Sequence, residues 1–313
     1  MGLIYHNGRF VPEQNIQKIN EEAAVLRLLR SFLDANEPGL VRILVNTWRS
    51  QGKAITYKEL REAILAGDID PEWLNDWMQD YNRFVVQHLQ PAWEKAIATA
   101  AAVIEQKYPG WRFNSMSEGV RNWTAAHSAE FVTNVTATQI EGIRAVVRRA
   151  SVLEDMTVDE LARAIRPTVG LTKQQSAANL NYYETLIKGG VSKQKALDKA
   201  ARYAARQHRY RGYNIARTEL AFSYNQGSYE GVKQAQAAGY IGEVVKVWCT
   251  ADDERVCTVC GGLEGKEIAM DEDFDFYTKL EGRNATIKRV PPAHPSCRCS
   301  VLYIEKTPPE KNM

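Results

Sequence analysis

The sequence predicts a mainly α-helical protein, in which an elongated helical body is followed by a small C-terminal α+β module stapled by a structural zinc ion. Apolar residues recur at helical spacing from about residue 15 to residue 240. After Gly239 the pattern changes to β-branched, alternating segments that are typical of strands. All five cysteines lie beyond residue 248. These three observations together predict the fold class.

The length of 313 residues predicts two domains. We expect a helical N-terminal domain over residues 1–150, which makes protein contacts, and a second domain over residues 151–313. The apolar share of 44% and the charged share of 25% are ordinary for globular proteins and exclude wholesale disorder. No apolar run reaches the ~18 residues of a membrane span, and the N-terminus lacks the features of a secretion signal. We therefore expect a reducing cytosol, where clustered cysteines bind metals more often than they form disulfides.

Four segments of the expected N-terminal domain have helical patterns. Residues 21–35, 94–108 and 131–150 repeat apolar side chains at helical intervals. A fourth, aromatic-rich segment starts at Pro71, because proline suits the first turn of a helix. Pro109-Gly110 ends the helix that precedes it.

Shorter helices with recognisable starts follow in the second domain. Thr157-Val-Asp-Glu160 and Thr172-Lys-Gln-Gln175 are capping boxes, and each predicts a helix beginning at its threonine. Pro167 ends the first of these helices. After Gly189-Gly190 the pattern predicts a basic helix over residues 192–212 and a separate helix over roughly 213–238.

The zinc-binding module is predicted over residues 243–304. Segments 243–251 and 297–304 have strand patterns, and the charged segment 266–290 is predicted to be a loop with at most one short strand. Four acidic residues of this loop are interpreted as solvated, with a calcium site as the alternative: Asp271, Glu272, Asp273 and Asp275.

Two cysteine pairs and a histidine carry the clearest chemical signal. Cys257-x2-Cys260 has the form of a zinc knuckle, in which two thiolates three residues apart hold one tetrahedral ion. We expect a following glycine, Gly261 or Gly262, to adopt a positive φ and to donate its amide to a sulfur. The remaining candidates are His294, Cys297 and Cys299.

Four of these five candidates would complete a closed tetrahedral site, which is the structural type of zinc site. The first choice is Cys257, Cys260, His294 and Cys297, with Cys299 as the substitute for His294. A structural zinc is expected because the module is too small to be held together by burial alone.

Other interpretations of these residues remain open. The cysteines could form a disulfide or pack as reduced hydrophobic side chains. A thioredoxin-type site is disfavoured because no βαβ pattern surrounds the cysteine pair, and no oxyanion-hole loop indicates a Cys–His hydrolase. Catalytic zinc needs a nearby acid or base, which Asp252, Asp253 or Glu254 could supply. No His-x-Glu or His-Glu-x-x-His pattern accompanies them.

A stripe of cations is predicted along the basic helix. Its members fall at i, i+4, i+7, i+11 and i+14, which places them on one helical face, and acidic partners at i±4 are nearly absent. Such a face can follow the phosphates of DNA without base-specific readout, whereas a solvated surface is the plainer interpretation. The basic stripe consists of Lys195, Lys199, Arg202, Arg206 and Arg209.

Three motifs follow one another in the second domain. The first is an Ala-Arg-Thr-Glu helix with a downstream Asn-x-Gly, the second a Trp-x-x-x-x-Asp-x-Arg-Val-Cys-x-x-Cys run, and the third a Pro-Pro-x-His-Pro-x-Cys-Arg-Cys end. Their order and spacing over about 90 residues resemble the C-terminal region of the phage head-morphogenesis family, typified by the phage Mu F protein. Outside the metal ligands, the matching positions are Arg217, Glu219, Asn225, Trp248, Asp253 and Arg255.

The resemblance implies a non-enzymatic minor capsid or head-morphogenesis protein of a tailed phage or prophage. Such a protein lies inside the procapsid or virion near the portal, and in the host cytoplasm during assembly. The implied partners are the portal protein, capsid or scaffold proteins and double-stranded DNA bound without sequence preference, with no membrane. The implied role is to aid assembly, packaging or ejection, with the N-terminal domain facing the portal.

Two roles are open for the polar residues of the first motif. In a structural role, Arg217 holds its helix against the zinc module by bonding Asp252 or Asp253. Alternatively, Arg217, Glu219 and Asn225 form a transferase site, since some relatives of the module are fused to toxins.

The corresponding alternative functions are a zinc-dependent nuclease, an ADP-ribosyltransferase-like toxin domain and a zinc transcription factor. The absence of a recognisable catalytic motif argues against the two enzymes. A transcription factor would need a recognition helix beside the metal, and the metal-binding half here is rich in loops instead.

Overall fold

The computed structural model describes residues 3–6, 9–12, 16–150, 156–251, 253–275 and 289–307. Within them the protein is mainly α-helical, with a small C-terminal sheet, as predicted. The helices are α1 (Ile16–Ala54), α2 (Tyr57–Ala66), α3 (Pro71–Phe84), α4 (Gln90–Lys107), α5 (Glu118–Ala150), α6 (Val158–Ile165), α7 (Lys173–Lys188), α8 (Lys193–Ala237) and α9 (Thr258–Gly261). The strands are β1 (Leu3–His6), β2 (Arg9–Pro12), β3 (Glu243–Cys249), β4 (Glu267–Ala269) and β5 (Ser300–Thr307).

The chain divides into two compact units, each built from separate segments. The first unit comprises residues 1–37, 92–121 and 215–313, and the second comprises residues 38–91 and 122–214. Helices α1, α4, α5 and α8 each contribute residues to both units. The expected boundary at residue 150 therefore does not coincide with this grouping, and the assignment of protein contacts to residues 1–150 stays a prediction.

The predicted helices are present but longer than their patterns suggest. Helix α1 continues through Pro38, and a π-helical turn at Val85–Leu89 joins α3 to α4. The predicted break at Gly212 is wrong, because α8 runs through it without interruption. A Cβ at Gly212 would lie 3.5 Å from Cγ1 of Val41 in α1. This is an ordinary van der Waals contact, so packing does not require a glycine here. The helix-propensity cost of one glycine, about 1 kcal/mol relative to alanine, is too small to end α8.

Both capping boxes are confirmed. The Thr157 and Thr172 hydroxyls accept from the amides of Glu160 and Gln175, whose side chains accept from the threonine amides in return. Pro167 lies in a 3-10 turn directly after α6.

In the first unit, β3 is the central strand of an antiparallel sheet in the order β4-β3-β5. Val25 and Leu26 of α1 pack against the apolar side chains of β3 and β5, among them Val247 and Leu302. The strand predicted over 297–304 begins only at Ser300. Cys297 and Cys299 therefore precede β5, in the segment that leads into it.

Candidate metal centre and basic surface

The first half of the candidate metal centre is a short helical turn. Cys257 lies at the N-cap of α9, and its Sγ accepts a hydrogen bond of 3.4 Å from the amide of Cys260. The expected positive φ after the second cysteine is wrong. Gly262 has φ −71°, and Gly265 is the glycine of this segment that adopts a positive φ, of 69°. The knuckle is therefore closed by helical hydrogen bonds.

The second half is a tight turn from His294 to Cys297. The Cys297 amide donates to the His294 carbonyl at 3.1 Å, and Ser296 between them has φ 59°. His294 Nδ1 lies 2.9 Å from the Pro295 carbonyl oxygen. A donor proton on Nδ1 leaves Nε2 as the free ligand atom, which is the usual orientation of a metal-binding histidine.

The two halves converge on one point. His294 Nε2 lies 3.1 Å from the Cys257 Sγ and 3.2 Å from the Cys260 Sγ, and the Cys260 and Cys297 Sγ atoms are 3.6 Å apart. The ligand atoms of Cys257, Cys260 and His294 all lie within 4.8 Å of one another, as do those of Cys260, Cys297 and Cys299. Cys260 is common to both groups, so the five predicted ligands form one cluster.

These separations fit a tetrahedral ion. With Zn–S near 2.3 Å and Zn–N near 2.0–2.1 Å, tetrahedral geometry sets ligand atoms about 3.6 Å (N···S) or about 3.8 Å (S···S) apart. Four thiols and an imidazole are also ligands that zinc prefers. The cluster can therefore hold a metal ion. Cys297 is grouped with Cys260 and Cys299, and His294 with Cys257 and Cys260, so the first choice of Cys257, Cys260, His294 and Cys297 stays a prediction.

The thiols are electrostatically linked. A hydrogen bond with Cys260 holds the pKa of Cys297 well below the ordinary value of a thiol, and the same contact raises the pKa of Cys260. Together the two thiols stabilise one negative charge, which suits the binding of a cation. Trp248, predicted as part of the family motif, is buried against Cys260, Cys297 and Cys299 and forms an apolar wall of the centre.

Asp253 ties the two halves together. Its two carboxylate oxygens each accept from Arg298 at 2.6 Å, and Arg255 lies at 3.2 Å. This contact lowers the pKa of Asp253 below the usual range of a carboxyl group. Arg298, which stands between Cys297 and Cys299, was not singled out by the sequence analysis. Its position between two candidate ligands in the Cys-Arg-Cys motif could have indicated a role at this site.

Arg217 has a partner that the sequence did not indicate. Its guanidinium binds the buried Glu37 carboxylate of α1 at 2.6 and 3.1 Å. Asp253 is bound instead by Arg298 and Arg255, and Asp252 lies outside the described residues. The predicted contact of Arg217 with Asp252 or Asp253 therefore stays a prediction. Arg217 joins α8 to α1 within the first unit.

Other residues of helix α8 in and beside the first motif contact the segment from His294 to Ser300, which carries the second half of the candidate centre. Thr218 Oγ1 accepts from the Ser296 amide at 2.9 Å. Asn225 donates to the Cys299 carbonyl at 3.3 Å and accepts from the Ser300 hydroxyl at 2.9 Å. Glu219 is buried in the same helix. Thr218 was missed because a threonine inside a helix carries no signal of a distant partner.

The acidic loop is anchored to helix α8. Asp271 accepts from the Tyr229 hydroxyl at 3.1 Å, and Asp273 lies 3.3 Å from Arg289. Residues 276–288 of the predicted loop lie outside the described residues. Asp271 and Asp273 are therefore not simply solvated, because each contacts a neighbouring side chain.

Lys246 is a buried cation that the sequence analysis did not identify. It lies in β3, and its Nζ donates to the carbonyls of Glu272 at 2.7 Å and Arg289 at 3.0 Å. Burial, together with the nearby Arg289, lowers the pKa of Lys246 to about 8. Lys246 thus contacts the backbone at two positions, Glu272 and Arg289, that lie far apart along the chain.

The basic stripe belongs to the second unit and faces solvent. The opposite face of α8 buries Ala196 and Ala200 against Ala164 and Tyr183. Among the described residues, no carboxylate lies within ion-pair distance of the five cations. Lys199 is half-buried. The other four cations are exposed: Lys195, Arg202, Arg206 and Arg209.

A family model described as "Phage Mu protein F like protein" matches residues 143–302, just over half of the chain. The chain belongs to this family. Proteins of this family act in phage head morphogenesis and are typically structural. The family resemblance inferred from the three motifs is therefore confirmed. The matched span includes the basic stripe and all five candidate ligands. Comparison with curated proteins and with solved structures gave no significant match.

Among the described residues, none of the helices combines the length and apolarity needed to cross a membrane.

Proposed function

We propose that this chain is a non-enzymatic minor head protein that lies inside the procapsid near the portal. There it binds double-stranded DNA without sequence preference and aids assembly, packaging or ejection. Membership of the F-like family supports a role in the phage head. The observation that carries DNA binding is the row of cations without acidic partners on one solvent-facing side of α8.

The spacing of the stripe suits a phosphate backbone. Fourteen residues separate Lys195 from Arg209, which corresponds to about 21 Å along a helix. If each of the five cations neutralises one phosphate, the logarithm of the binding constant falls against the logarithm of salt concentration with a slope of about −4.5. The stripe carries no pattern of base-edge readout, so affinity should depend on salt and hardly on sequence.

Charge reversal tests the DNA contact. Replacing Arg202, Arg206 and Arg209 with glutamate should strongly weaken binding to a duplex and flatten the salt slope. A glutamine version should reduce the magnitude of the slope by about 2.7, since three counterions are no longer released.

The matched control reverses three exposed cations that already pair with carboxylates, Lys58, Arg83 and Arg148. It makes the same change in net charge and should leave most of the slope intact. Equal effects of the two sets would show that only the overall charge matters.

Location near the portal is tested in the assembled particle. The full chain should co-purify with the portal protein of the same phage, and procapsids made with and without the chain should differ in density near the portal vertex. Density spread evenly over the capsid lattice would contradict the proposed location.

We also propose that the centre holds one structural zinc through Cys257, Cys260, His294 and Cys297, with Cys299 as the alternative to His294. Three short separations support a shared ion: His294 Nε2 lies 3.1 Å from the Cys257 Sγ and 3.2 Å from the Cys260 Sγ, and the Cys260 Sγ lies 3.6 Å from the Cys297 Sγ. When bound, the ion would cross-link the segment around α9 to the segment before β5, in addition to the bidentate contact of Arg298 with Asp253.

Metal analysis should find about one zinc per chain, and chelation should lower the unfolding temperature. Cys257→Ser should abolish zinc binding. Cys249→Ser is the control, because Cys249 is the cysteine outside the cluster. Cys299→Ser should retain zinc if His294 is the fourth ligand and lose it if Cys299 is. Zinc-dependent cleavage of DNA by the wild-type chain would instead favour a nuclease.

A further inference from the structure

Two polar side chains of helix α8 bind the backbone of the segment that carries His294, Cys297 and Cys299. Thr218 and Asn225 are seven residues apart, so they lie on one face of the helix two turns from each other. Thr218 accepts from the Ser296 amide, and Asn225 bonds both the Cys299 carbonyl and the Ser300 hydroxyl. The helix thus contacts this segment at two points that flank Cys297.

The first contact lies at a conformation that the backbone does not adopt readily. Ser296 has φ 59°, in the left-handed region that disfavours residues other than glycine. This conformation reverses the chain between His294 and Cys297 and directs both side chains toward Cys260. A hydrogen bond of 2.9 Å from the Ser296 amide to Thr218 stabilises it.

The segment is also held from the side of the knuckle. Arg298 binds Asp253 through both carboxylate oxygens at 2.6 Å. Asp253 stands four residues before Cys257, so this pair fixes the segment relative to the first two ligands. Contacts from helix α8 and from Asp253 together restrain the second half of the centre independently of an ion.

We propose that Thr218 and Asn225 are positioning residues of the metal centre, which set the turn from His294 to Cys297 in a ligand-ready conformation before the ion binds. This inference rests on the proposed metal site. Side chains that orient metal ligands without touching the ion typically change metal affinity about 10- to 100-fold when they are removed. The Thr-x6-Asn spacing of the first motif is then a requirement of the metal centre.

The test is a competition titration of the full chain with zinc and a chromophoric chelator, together with the absorption spectrum of the cobalt-loaded chain. Thr218→Val keeps the shape of the side chain but removes the acceptor, and it should weaken zinc binding at least 10-fold and alter the cobalt spectrum. Thr218→Ser should restore both. Thr99→Val is the matched control, since Thr99 is an exposed threonine of α4 whose hydroxyl donates to the Lys95 carbonyl of the same helix.

Variants at Ser296 separate positioning from general destabilisation. Ser296→Gly adopts the same φ without penalty, so it should recover the affinity lost in Thr218→Val, whereas Ser296→Ala should not. If Thr218→Val alone fails to fold, the single variants decide: Ser296→Gly should bind zinc more tightly than Ser296→Ala. Equal affinities for those two variants would overturn the proposal.

The failure of the metal site itself is distinguishable. A wild-type chain that binds neither zinc nor cobalt refutes the metal centre and, with it, this inference. A wild-type chain that binds zinc as tightly as Thr218→Val refutes only the positioning role.

Discussion

Replacing Gly227 with alanine should destabilise the first unit, because α8 and α4 are in backbone contact at this glycine. A Cβ built there lies 2.5 Å from both the Cα and the carbonyl oxygen of Ile97. Ordinary contacts of a Cβ begin near 3.4 Å, so the two helices must separate locally by about 1 Å. Backbone atoms cannot move aside by changing rotamer.

The magnitude follows from two opposing effects. Overpacking costs about 1–3 kcal/mol, and a clash with rigid backbone belongs at the upper end of that range. Alanine recovers about 1 kcal/mol through its higher helix propensity. The net loss is therefore about 2 kcal/mol, which for a unit of this size lowers the unfolding temperature by about 4–8 °C.

Two other helical glycines provide a graded series for the same thermal assay. At Gly231 the nearest atom to an added Cβ is Cγ1 of Ile104 at 3.3 Å, a side-chain atom that can adjust. At Gly39 no atom lies within 4 Å. We expect Gly39→Ala to stabilise by up to ~1 kcal/mol, Gly231→Ala to be near neutral and Gly227→Ala to be clearly destabilising. Equal stabilities for Gly227→Ala and Gly231→Ala would refute the reasoning from close packing.

Further predictions concern charge and the metal centre. Since burial lowers the pKa of Lys246 to about 8, the unfolded chain binds more protons than the folded chain between about pH 8 and 10.5, so Lys246 makes stability rise with pH in this window. Urea unfolding at a series of pH values should show this rise in the wild type and not in Lys246→Met. If the unfolding free energies of the two proteins changed with pH in parallel, the burial of the charge would be contradicted. Asp253→Asn, which weakens the bidentate contact with Arg298, should lower zinc affinity in the chelator titration without changing DNA affinity. A loss of DNA affinity instead would mean that this pair acts beyond the metal centre.

Features encoded by neighbouring residues could be predicted from the sequence. The capping boxes at Thr157 and Thr172 are complete within four residues, and both were confirmed. The cysteine pairs indicated one cluster because two short motifs each present ligands on one side. The same local reasoning failed for Gly212, because one glycine costs a helix only about 1 kcal/mol relative to alanine and α8 runs through it.

Partners that lie far apart in the chain could not be predicted. Arg217 is 180 residues from Glu37, and no pattern near either residue identifies the other. The contact of Thr218 with Ser296 depends in the same way on how α8 meets the segment before β5. Lys246 lies in a strand with an ordinary alternating pattern. Its buried ammonium group is hydrogen-bonded to the carbonyls of Glu272 and Arg289, which are brought to it by the fold.

The composition of the first unit has a consequence for biosynthesis. Val25 and Leu26 are made long before the strands against which they pack, which include residues 300–307. The apolar face of the early helix must therefore wait until residues 300–307 have been synthesised before it is fully covered. Truncation anywhere between residues 37 and 300 would leave that face without β5, so a fragment must extend through β5 for this unit to be complete.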